Sequence, residues 1–104
     1  TANDQDGIIA MADKMLEQNP ANALAQKIRL QAYLTKKDYA KVIELGEAAA
    51  AAQPDETEKS DVYFILGAAY NAKEMKPQAI EALKKVTAGD NVAAAQKSVA
   101  ELSK

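Results

Sequence analysis

The sequence predicts an all-α fold of about six helices packed as successive antiparallel hairpins, and three observations predict it. Apolar residues recur at spacings of three and four through nearly the whole chain, and no stretch alternates as a strand would. Ala, Leu, Lys, Glu and Gln dominate the composition, with only 4 Gly and 3 Pro in 104 residues, so helix-forming residues prevail. The few breakers fall between the periodic stretches and leave short connections, which force neighbouring helices to run antiparallel.

The first stretch carries Ile8, Ile9, Met11, Ala12, Met15 and Leu16 and ends at Asn19-Pro20, with Asp4 or Asp6 as the expected N-cap. The second runs from Asn22 to Thr35, with Leu24, Ile28, Leu30 and Leu34 turned inward. Lys36-Lys37-Asp38 makes a turn, and Asp38 is the N-cap of a third helix bearing Tyr39, Val42, Ile43, Leu45 and the alanines 48–52. That helix stops before Pro54. Asp55-Glu56-Thr57-Glu58-Lys59 reads as a polar linker to a fourth helix, which carries Val62 to Tyr70 and ends near Lys73-Glu74. Pro77 suits the first turn of a fifth helix, where its missing N–H costs nothing. Ala79, Ile80, Leu83 and Val86 form the stripe of that helix, and Gly89 is its expected left-handed C-terminal cap. Asp90 or Asn91 opens a sixth helix with Val92, Ala95, Val99 and Leu102 on one face.

The chain contains neither cysteine nor histidine. It therefore has no disulfide, no thiol nucleophile and no imidazole to act as general base or metal ligand. Glu44, Glu47, Glu58, Glu74 and Glu81 fall on polar faces or turns and read as solvated surface. Ser60, Ser98 and Ser103 sit at a helix start or near the chain end, and Gly67 and Gly89 are isolated, so no phosphate-cradling loop exists. The carboxylates of residues 55–58 read as a linker with a helix start rather than a metal site. No catalytic residue, metal or cofactor is expected, and the chain reads as a binding protein rather than an enzyme. A net charge of −2 without a basic stripe disfavours nucleic acid. No apolar run approaches the ~20 residues of a membrane span.

A repeat underlies the helices. Asn19-Pro20 and Gln53-Pro54 end their helices 34 residues apart, and Asp4 and Asp38 stand at the same interval. In the fourth and fifth helices Tyr63, Leu66, Gly67 and Tyr70 are followed by Ala79 and Leu83. Gly67 and Ala79 are small where two helices cross, and the four large residues fill the space around the crossing. Leu at Gly67 or Ala79 should overpack that crossing, and Leu at Ala50 should matter less.

An aromatic, then Leu-Gly, then Tyr, then a small and a large apolar residue at these spacings resembles the tetratricopeptide repeat family. The earlier pair agrees at Tyr33, Asp38-Tyr39, Ile43, Ala49 and Pro54. It departs at Gln26, Arg29 and Leu30, and Leu30 in the close-contact slot is expected to widen that hairpin. The interval between the two pairs is 37 rather than 34. The resemblance covers nearly the whole chain. Residues 1–20 match the second helix of a partial repeat, 21–54 and 58–90 match two repeats, and 91–104 match a capping helix. It implies a right-handed antiparallel helix-hairpin solenoid. A start in mid-repeat reads as a segment of a longer array or of a multidomain protein.

The resemblance also implies a site. Such solenoids bind protein partners on a concave surface lined by the first helix of each pair. Here that surface would carry Leu24, Lys27, Ile28, Gln31 and Thr35, then Asp61, Phe64, Ile65, Ala68 and Asn71. Phe64 is the expected anchor, because Tyr63 and Leu66 already supply the core within the pair; the contrary reading makes Ile28, Phe64 and Ile65 plain core. One subclass grips the C-terminal carboxylate of chaperone tails with lysine and asparagine. Lys27 suits that clamp, but Gln31, Ile65 and Ala68 break it, so chaperone-tail binding is not expected. The implied role is a scaffold or adaptor for a protein or peptide, a second copy of the chain included. The alternative is a structural or regulatory segment of a larger enzyme or envelope protein, with no ligand of its own.

Overall fold

Short acceptor side chains set the helix starts. The computed structural model describes residues 2–104, and those residues form six α-helices and no strand. They are α1 (Ala2–Gln18), α2 (Ala23–Thr35), α3 (Tyr39–Ala52), α4 (Glu56–Ala72), α5 (Lys76–Lys84) and α6 (Val92–Leu102). The side chain of Asn22 accepts a hydrogen bond from Ala25 N at 3.0 Å, and Asp55 accepts from Glu58 N at 2.8 Å. Asp38 accepts from Lys41 N at 3.4 Å, so it caps α3 as expected. Each cap satisfies a helix-end donor that has no partner within its helix.

Three boundaries differ from expectation. α1 begins at Ala2, so Asp4 lies in its first turn and Asp6 lies further inside; neither is the N-cap. Asp6 instead pairs with Lys36 beyond the end of α2. The helix start expected within the polar stretch after Pro54 comes at its very beginning, leaving little linker, because the Asp55 cap and the carboxylates of Glu56 and Glu58 complement the positive helix N-terminus. Finally, α5 ends at Lys84, and Gly89 lies beyond it in the turn to α6 with φ of 91°. The cause is Ser60, buried on α4, whose hydroxyl accepts both Thr87 N at 3.1 Å and Ala88 N at 3.2 Å and draws the chain off the helical path.

The turns α2–α3 and α4–α5 share one geometry. Lys37 has φ of 65° and Glu74 has φ of 61°, and both stand just past a helix end. Asp38 N donates to Tyr33 O at 2.9 Å, and Met75 N donates to Tyr70 O at 2.9 Å. This is the Schellman closure of a helix C-terminus, repeated at the 37-residue interval seen between the two pairs.

Every helix packs on its successor, and α2 also meets α4. The main core joins α2, α3, α4 and Ala82 of α5 around Leu30, Val42, Val62, Ile65 and Leu66. A second cluster of Leu83, Val86 and Ala95 holds α6. At the α4–α5 crossing a Cβ on Gly67 would stand 2.7 Å from Leu83 Cγ and 3.6 Å from Ala79 O, so Gly67 and Ala79 face each other as expected. Gly46 plays the same part between α3 and α4, where a Cβ would collide with the fully buried Leu66. Two inward assignments change. Leu24 is 59% exposed and the adjacent Ala25 takes the core position, while Ala50, where a leucine was expected to matter less than at the crossing, is 1% exposed.

Candidate partner-binding face

α2 leaves one ridge uncovered. Residues 24, 28 and 31 recur at spacings of four and three, so Leu24, Ile28 and Gln31 share a face, with Lys27 beside them. α1 flanks this ridge on one side and α4 on the other. Together they form an apolar groove of about 250 Å³, with Ile8 and Gln5 from α1 and Ile65 from α4. A larger hollow of about 420 Å³ lies among α3, α4 and α5, but Glu47, Gln78, Glu81 and Lys85 make its lining mixed and charged.

The expected face divides at α4. Leu24, Lys27, Ile28, Gln31 and Ile65 converge on the groove. Phe64, Ala68 and Asn71 line a separate hollow of about 100 Å³ with Gly67, Leu83 and Ser98. Consecutive helical residues point ~100° apart, and here that offset turns Ile65 to the groove and Phe64 to the separate hollow. Phe64 is half-buried and packs against the α6 cluster with Val92, Val99 and Leu102, which occupies much of the ring expected to anchor a ligand.

Asp61, expected on the face, lines neither hollow and is engaged within the chain instead. Its Oδ2 accepts from Lys27 Nζ at 2.9 Å, and its Oδ1 accepts from Asn91 Nδ2 at 3.3 Å. Lys27 Nζ also donates to Glu58 Oε2 at 2.8 Å. Burial pushes the Lys27 ammonium toward a lower pKa, but the hydrogen bonds and charges of Glu58 and Asp61 outweigh it and leave the pKa raised. The ammonium is thus committed to α4. Thr35, expected at the far end of the face, donates its hydroxyl to Gln31 O at 3.0 Å within its own helix.

Ile8 and Gln5 line the groove but were not expected there, and Glu58 is joined to it only through its ion pair with Lys27. The Ile8-Ile9 doublet carried the signal for the first: only one of two adjacent residues can enter a helix–helix seam. Ile9 is buried, and Ile8 turns to the groove. Opposite charges carried a second, since Asp13–Arg29 at 3.0 Å and Asp6–Lys36 fix α1 antiparallel on α2. Among the described residues no group of three or more acidic side chains is placed to hold a metal ion. No described helix is long and apolar enough to cross a membrane. No protein-family model matches the chain, and no curated protein or solved structure matches it.

Proposed function

We propose that the chain is a protein-interaction module, built as a tetratricopeptide-like array in which the hairpins α2–α3 and α4–α5 are successive repeats and α1 and α6 flank them. Support for the array comes from the twin Schellman turns 37 residues apart, the small residue at each crossing into α4 and α5, and the direct contact of α2 with α4. Support for binding rests on one observation above the others: Leu24, Lys27, Ile28, Gln31 and Ile65, all expected on the face, converge on a single apolar groove beside an exposed leucine.

A photoreactive amino acid at position 31, exposed at the groove, should capture a partner, and that capture should be lost when Leu24→Glu is added and kept when Ala48→Glu is added, since Ala48 is exposed on α3. Equal capture by both charged variants would overturn the groove. The second reading, a structural segment without its own ligand, draws on Lys27 and Phe64, which are both engaged inside the chain. It predicts that no capture from position 31 depends on Leu24.

A further inference from the structure

We propose that α1 is a hinged wall: it undocks from α2 as a unit while α2–α5 stay folded, and ion pairs to α2 are its latch. The opening needs no occupant of the groove. The main core closes without α1. Among the described residues its buried members come from α2, α3, α4 and Ala82 of α5, and none comes from α1. α2 also starts independently, since its cap is its own Asn22. α1 gives only Ile9 and Ala12 to the buried apolar residues, where α4 gives Val62, Ile65, Leu66 and Ala69. Toward α4 it is not sealed, because the groove lies between them. Its buried hold is therefore the seam along α2. A helix of 17 residues with Gly7 in its interior barely holds in water by itself, so once the seam parts the helix frays as one unit.

Charge sets the latch. Asp13 Oδ1 accepts from Arg29 Nη1 at 3.0 Å, and Asp6 accepts from Lys36 Nζ. The two carboxylate side chains are 48% and 56% exposed, so dissolved ions reach both pairs and weaken them. Arg29 also works against docking. It reaches across to α1, and its Nε is buried with no hydrogen-bond acceptor, a cost that ends when the guanidinium meets water. The last helix is held differently. α6 rests on Leu83 and Val86 through Ala95, Val92, Val99 and Leu102, an apolar contact that salt does not screen.

The groove inherits this mobility. Ile8 and Gln5 are its α1 wall, so undocking removes them and leaves the ridge of α2 open on that side. The closed groove exists only while the latch holds, and ionic strength shifts its population.

Hydrogen exchange of the intact chain, read amide by amide by NMR, tests the hinge. Amides of residues 9–18 should exchange at least about tenfold faster than those of Leu30, Val62 and Leu66, because a partial opening costs less than global unfolding. Raising salt from about 0.02 M to about 0.5 M should speed α1 by about three- to fivefold and leave α6 within about twofold. Asp6→Asn combined with Asp13→Asn should speed α1 similarly at low salt and remove most of its salt response. Exchange of α1 at the rate of Leu30 and Val62 would overturn the inference, since the helix would then open only with the whole fold. So would an equal salt response in α1 and α6, or unchanged α1 exchange in the double variant, since ion pairs would not be the latch.

Discussion

Two helical glycines have contrasting surroundings, and the contrast gives opposite predictions. Gly67 lies against Leu83, so Gly67→Ala should destabilise the fold by about 1–3 kcal/mol through overpacking, despite its better helix propensity. Gly7 sits in α1, where a Cβ would meet nothing within 4 Å, so Gly7→Ala should stabilise by about 0.5–1 kcal/mol. Urea unfolding of the two variants tests both signs. Ser60 is another residue whose weight exceeds its size. Ser60→Ala leaves the N–H groups of Thr87 and Ala88 without their shared acceptor and should cost about 1–2 kcal/mol. Amide exchange in that variant should quicken first in the turn 85–91. The crossing at Gly67 and Ala79 was legible in the residues because only small side chains let helices approach. Ser60 was not, since a buried acceptor at a helix start looks like any exposed serine until the turn folding over it is known.

At the scale of the element, the chain ends its α2 and α4 helices at a cost. Lys37 and Glu74 hold left-handed backbone that L-residues other than glycine and asparagine rarely adopt. Lys37→Gly and Glu74→Gly should each raise stability by up to about 1 kcal/mol, measured by thermal melts, because strain removed outweighs the added freedom of the unfolded chain. A loss at either position would mean that the side chain contributes contacts there. The α4 start behaves in the reverse sense. Asp55 is its acceptor cap, and Asp55→Ala should cost about 1 kcal/mol and fray the turn that carries Glu58. That first turn has no apolar period, which is why residues 55–59 read as a linker. Capping and the helix dipole, rather than burial, make it helical.

Across the whole molecule, the Lys27 cluster ties α2 to α4 and sets one edge of the groove. Its pKa lies above the ordinary lysine value, so protonation favours the folded state. The stabilisation is complete below the unfolded-state pKa and is lost as pH rises through the higher folded-state value. Melts should therefore fall from about pH 10.4 upward, and Lys27→Met should flatten that alkaline decline. The charged partners are partly exposed, so raised salt should weaken the effect.

Helix number and order, the Asp38 cap, the first turn at Pro77 and the Gly67–Ala79 crossing were all written in the sequence. Each depends on residues close along the chain or on a side chain's size. Tertiary structure alone decided that Leu24 faces outward while Ala25 is buried, that Phe64 leans on α6, and that Ile8 completes the groove. Periodicity marks an apolar stripe on each helix. Which edge of that stripe is sealed depends on how neighbouring helices rotate and cross, and those angles arise from contacts between residues distant in the chain.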